Sequence, residues 1–183
     1  MSLTVVFDYR RHFLFLAVAV VFLAGLSQFA IYDNALFASA VNGALHAVAL
    51  AASLRIAATA SRRLLFVAIA AALSIMTLYV GIIALVALSI LPNSQRLPAV
   101  IGIGAMTGAI TYGSLVRIFW NRAIRPRGIL RLATLCTLAT LGGYFLKLKF
   151  NWPGMWWLAV IWWIVFSCCL RMLRAPGADP KSR

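Results

Sequence analysis

Six long apolar stretches, at 13–31, 35–59, 64–91, 97–120, 128–146 and 154–172, fill most of this chain, and its basic residues collect at every second joint between them. A bilayer core about 30 Å thick is crossed by about 20 apolar residues in a helix. Lipid offers no partner for a free N–H or C=O, so an apolar segment there must satisfy its own backbone, which a helix does. The pattern therefore predicts an all-α membrane protein, a six-transmembrane-helix antiparallel bundle. The composition agrees: 64% of the 183 residues are hydrophobic and the mean hydropathy is +0.97, more apolar surface than a soluble domain of this size can hide.

Short joints make successive helices antiparallel neighbours. Tyr32-Asp33-Asn34 separates the first two stretches, Pro92-Asn93-Ser94-Gln95-Arg96 the third and fourth, and Asn151-Trp152-Pro153 precedes the sixth. Pro98 and Pro153 are expected near helix starts, where a missing N–H costs little. The six-helix domain is expected to span 1–174. Residues 175–183, polar and holding two prolines, are expected to form a disordered cytoplasmic tail.

Charge orients the threading. Fourteen of the 17 Lys and Arg residues fall on one side of the six stretches; Arg96, Lys147 and Lys149 fall on the other. Basic residues stay on the cytoplasmic side, so both termini are expected there. Arg outnumbers Lys 14 to 3 and Ala is abundant, which fits a GC-rich bacterial genome and a multi-pass protein of the cell inner membrane. The pI near 11.3 reflects this punctuation, and no nucleic-acid partner is expected. Arg10-Arg11-His12-Phe13-Leu14 has the look of a twin-arginine export signal, but five further apolar stretches follow and no A-x-A site closes the first. The first stretch reads as an uncleaved anchor.

Much chemistry is missing from the stretches. There is no Glu, and Asp8, Asp33 and Asp179 all lie outside them. No Ser-His-Asp set can be assembled within a membrane from these residues, and the carboxylate common in ion-coupled transport is lacking. His12 is expected at the cytoplasmic edge of the first stretch. That leaves one buried histidine, too few for a metal centre or for haem held by two histidines, so no cofactor or metal is expected. Cys136, Cys168 and Cys169 read as small apolar residues.

What remains is a polar stripe. Ser39, Asn42, His46 and Ser53 follow spacings of three, four and seven and share one helical face. An ionisable group in a span is a candidate site, and Asn42 and His46 are the candidates for ligand binding or gating. The alternative is a helix–helix seam in which these groups bond to a neighbour. Hydroxyls for such bonds are expected from Thr107 and Thr111, which share a face with Gly104, Gly108 and Ser114. Gly104 and Gly108 form a small-xxx-small pair, expected to pack tightly. Trp162 and Trp163 lie near mid-span, where an indole N–H needs an acceptor on another helix. Spans two, four and six end alike, at Ser53-Leu54-Arg55-Ile56, Ser114-Leu115-Val116-Arg117-Ile118 and Ser167-Cys168-Cys169-Leu170-Arg171-Met172, which suggests three repeated helical hairpins, although the need for basic residues at an inward exit explains most of the likeness.

Arg117, Arg122, Arg125, Arg127 and Arg131 cluster around the fourth joint. They anchor topology and are candidates for binding anionic lipids or an acidic partner. The chain is thus expected to be a transport-related or complex-forming membrane subunit without its own catalytic centre, in an anionic bilayer, with a membrane-protein partner or further copies of itself. A membrane enzyme acting on a lipid or lipid-linked substrate, with His46 or Cys136 as the reacting group, and a purely structural assembly factor are the alternatives. In length, span number and threading alone, the chain is similar to the substrate-binding subunits of energy-coupling-factor vitamin importers. A polar pocket opening outward would favour a subunit that recognises a solute, a groove open to lipid beside His46 an enzyme, and a packed interior without a pocket an assembly factor.

Overall fold

The computed structural model describes residues 9–26, 34–53, 59–119, 124–151 and 156–170. These form six helices: α1 (Tyr9–Leu26), α2 (Ala35–Ser53), α3 (Ala60–Ala87), α4 (Asn93–Phe119), α5 (Pro126–Phe150) and α6 (Trp156–Cys169). Three of them, α3, α4 and α5, are long and apolar enough to cross a membrane, and α2 and α6 are shorter apolar helices. The 14 residues of α6 rise only about 21 Å. The tail at 175–183, the three aspartates, Arg55 and Arg122 lie outside the described residues.

Local chemistry sets the helix ends. Asn34 caps α2, its Oδ1 accepting from the N–H groups of Leu36 at 3.0 Å and Phe37 at 3.1 Å, as the free first-turn donors require. Pro126 opens α5 at a position where its missing N–H is no loss. Asn151 ends α5 in the left-handed region at φ 49° and its N–H bonds the Lys147 carbonyl, a conformation asparagine tolerates. Pro98 departs from expectation. Because α4 begins at Asn93, Pro98 lies inside the helix and withdraws the N–H that the Ser94 carbonyl would otherwise receive. Ser94 is exposed, so that carbonyl stays accessible at the bundle's end.

Consecutive helices pack on one another in antiparallel order. The start of α1 meets the end of α2 through His12 and Ala49, the start of α3 meets the end of α4 through Phe66 and Phe119, and the end of α5 meets the start of α6 through Gly143 and Leu158. Contact between α1 and α6 closes the circuit. A core runs through every helix, including Leu23, Leu50, Phe66, Ala109, Cys136 and Phe166. Apolar side chains cover the outside as well: Leu64, Ile83, Val86 and Ile90 are exposed.

In lipid, helices associate through close packing and interhelical bonds rather than through hydrophobic exclusion. Glycine supplies the closeness here. A Cβ on Gly43 would overlap Ser74 Oγ and stand 3.0 Å from the Ala70 carbonyl, so α2 and α3 meet almost backbone to backbone. A Cβ on Gly143 would stand 2.7 Å from Ile161 Cδ1. Gly108 packs on Trp162, as its place in the small-xxx-small pair predicts, but a Cβ on Gly104 would meet nothing within 4 Å. Gly104 borders open space.

Candidate functional site

That space is a cleft of about 290 Å³ between α2, α3, α4 and α6, touching α5 at Thr140. Asn42 and Ser39 line it from α2, Ser74 and Thr77 from α3, Tyr112 from α4, and Trp162 and Trp163 from α6. A second hollow of about 390 Å³ adjoins it between α3 and α4. The two share Ser39, Ser74, Thr77 and Gly104, so they form one bent cleft with an inner and an outer arm. The outer arm is bordered by Leu78, Ile82, Leu85 and Val100. Ile82 is 44% and Leu85 40% exposed, so this arm reaches the bundle's outer surface.

Four hydroxyls of the inner arm, and the indole of Trp162, spend their protons on backbone. Ser74 donates to the Ala70 carbonyl at 2.9 Å, Thr77 to Leu73 at 2.9 Å, and Thr140 to Cys136 at 2.7 Å, each within its own helix. Tyr112 donates across to the Gly43 carbonyl at 2.7 Å, with Ser74 Oγ 3.2 Å from its hydroxyl. Trp162 donates its indole N–H to the Ala105 carbonyl at 3.0 Å, the acceptor that its mid-span position demanded. A hydroxyl that has given its proton keeps acceptor lone pairs, so the cleft wall is rich in acceptors.

His46 lies behind this wall and is fully buried. Its ring stacks on Trp163 at 5.7 Å between centroids and 5° between planes, and Tyr112, Trp162 and Phe166 stand at 5.0, 5.2 and 5.4 Å. The expected hydroxyl partners are not there. Neither ring nitrogen has a hydrogen-bond partner among the described residues. Thr107 and Thr111 are half-buried and do not line the cleft; they follow Val100 at seven and eleven residues, on the side of α4 that faces Gly81 of α3. The strip that reaches the cleft is Gly104, Gly108 and Tyr112. Of the four candidates, the structure brings Asn42 to the cleft and His46 to its back wall. The side chain of Ser53, the last member of the stripe, lies outside the described residues.

His12 corrects the sequence reading most. It lies in the first turn of α1 and is buried completely. Its Nδ1 stands 3.2 Å from the Ala49 carbonyl and its Nε2 2.5 Å from Ser167 Oγ, and Ser167 also donates to the Trp163 carbonyl at 2.7 Å. The carbonyl of Ala49 can only accept, so Nδ1 carries a proton. A neutral ring then has a bare Nε2, and the single Ser167 proton serves either Nε2 or the Trp163 carbonyl. Thus three contacts share two protons. The arrangement ties the start of α1 to the ends of α2 and α6. It also makes His12 a second buried histidine, with both nitrogens engaged.

At the fourth joint, Arg117 is half-buried in the last turn of α4, and Arg125, Arg127 and Arg131 are exposed at the start of α5. Cys136 is buried among the core residues, whereas Cys168 is exposed. Tyr112 is the site residue that sequence reasoning missed; its signal was a hydroxyl-bearing ring one turn from Gly108 on the stripe of small residues. Compared with known protein families, curated proteins and solved structures, the chain matches none.

Proposed function

We propose that this chain is a multi-pass membrane subunit, transport-related or complex-forming, that binds a small ligand in the bent cleft and has no catalytic centre of its own. The observation that carries this reading is the cleft itself: an acceptor-lined inner arm set between four helices, with Gly104 leaving room where a side chain would otherwise sit. Its two arms, of about 290 and 390 Å³, match the lower end of small-molecule sites, about 300–1,000 Å³. The two histidines have no carboxylate in the apolar stretches to orient them, because the three acids lie at 8, 33 and 179; acid–base work needs such positioned partners. The reach of the outer arm to the bundle's surface favours a second reading, an enzyme acting on a lipid, only as far as ligand access.

On this reading all six helices span the inner membrane of a bacterium, and both termini are cytoplasmic, on the side bearing 14 of the 17 basic residues. Arg117, Arg122, Arg125, Arg127 and Arg131 then face anionic head groups or an acidic membrane partner.

Native mass spectrometry of protein released from its own membranes tests the ligand. Wild type is expected to carry a small-molecule adduct that Gly104→Leu loses, because the new side chain points into open space at the junction of the arms. Absence of any adduct, or the same adduct on both proteins, overturns the reading.

A further inference from the structure

The two arms differ in chemistry in a way that defines the ligand class. We propose that the cleft takes an uncharged, single-chain amphiphile whose head group donates hydrogen bonds, a long-chain alcohol or primary amide, entering from the bilayer through the outer arm. This rests on the reading of the cleft as a ligand site.

The argument begins with charge. No Asp, Glu, Lys or Arg is among the residues lining either arm. A charged head group would lose its water and gain no counter-charge, which is costly inside a membrane. The head must therefore be neutral. Hydrogen-bond accounting then sets its polarity. Ser74, Thr77, Thr140 and Tyr112 each give their proton to a backbone carbonyl and offer lone pairs to the cleft. A head group that only accepts, such as an ether, finds the protons of these four hydroxyls already committed and leaves their lone pairs unused. One that donates finds several acceptors within a single arm.

The outer arm dictates the rest. Leu78, Ile82, Leu85 and Val100 give it an apolar wall, and the exposure of Ile82 and Leu85 sets its mouth on the lipid-facing side of α3. An alkyl chain lying there exchanges lipid contacts for protein contacts, while the head passes Gly104 into the acceptor-lined arm. Gly104 is then the threshold between the arms, and its missing Cβ is what lets the chain through.

Four photoreactive probes with the same diazirine-bearing alkyl chain distinguish head groups: the primary alcohol, its methyl ether, the carboxylate and the trimethylammonium. Each is added to the full-length protein in neutral lipid nanodiscs, and the labelled positions are mapped by peptide sequencing. The alcohol is expected to label the 78–85 segment of α3, about two- to tenfold more than the ether, the span that one net hydrogen bond of about 0.5–1.5 kcal/mol gives. Gly104→Leu abolishes that labelling, and Ser39→Leu, on the facing wall of both arms, does the same should the first variant fail to fold. Equal labelling by the ether, or stronger labelling by a charged probe, overturns the ligand class. If a Gly104-sensitive native adduct persists at the same time, the cleft reading itself stands. Alcohol labelling absent from this segment, or unaffected by both variants, also overturns the proposal.

Discussion

Replacing His12 with Phe removes both polar contacts of its ring while keeping a ring in place. The bonds at stake run to the Ala49 carbonyl at 3.2 Å and to Ser167 Oγ at 2.5 Å. Interhelical bonds in membrane proteins contribute about 0.6 kcal/mol each on average and about 1.7 at most. Because the Ser167 proton is shared with the Trp163 carbonyl, the net loss is one to two such bonds, about 0.6–3 kcal/mol. Neither acceptor is stranded: the Ala49 carbonyl lies within α2, and Ser167 still donates to Trp163. The loss therefore stays near that sum rather than reaching the larger penalty of a buried orphan. For a chain of this length each kcal/mol moves the midpoint by about 2–4 °C, so His12→Phe is expected to unfold about 1–12 °C below wild type. The assay is loss of the monodisperse peak on size exclusion after heating in detergent. Ser167→Ala and the double variant complete a cycle. A coupling energy of about 0.5–1.5 kcal/mol is expected between His12 and Ser167. Wild-type stability for His12→Phe, or strictly additive effects, refutes the idea that this contact closes α1 onto α6.

Two further outcomes follow from packing and charge. Gly143→Ala drives a Cβ to 2.7 Å from Ile161 Cδ1 and 3.2 Å from Trp157 Cζ3; overpacking of this kind costs about 1–3 kcal/mol, whereas Gly104→Ala, facing open space, is expected to leave the thermal midpoint unchanged. Replacing Arg122, Arg125 and Arg127 together with Gln is expected to lower the acidic lipid retained through purification, since each basic residue near an anionic surface contributes about 1 kcal/mol; unchanged retention leaves these arginines a purely topological role.

Helix number and joint positions were legible because they depend on apolar length and polar interruptions, both local properties. Helix ends were less so. The expected stretch at 97–120 missed the first turn of α4, since Asn93 to Arg96 are polar yet helical, and that shift moved Pro98 into the helix. On α2, spacing placed Asn42 and His46 on one inward face. It could not say what they meet. The rings around His46 come from α4 and α6, helices far away in sequence, and each rotates 100° per residue, so a strip displaced by one residue faces elsewhere. This is why Gly104 and Gly108 reach the cleft and Thr107 and Thr111 do not. His12 escaped for the same reason: its burial depends on α6 returning beside α1 with Ser167 at the right height, a closure that no local pattern encodes.

The claim beneath all of this is that six helices cross the membrane, because only then does the outer arm open to lipid and the arginine cluster face the cytoplasm. Paired reporter fusions test it, one active only outside the cytoplasm and one only inside, placed after residues 33, 58, 94, 122 and 152 and at the C-terminus. The signals are expected to alternate, external after 33, 94 and 152 and cytoplasmic after 58, 122 and the last residue. An external signal from the C-terminal fusion, or two adjacent fusions reporting the same side, contradicts the account.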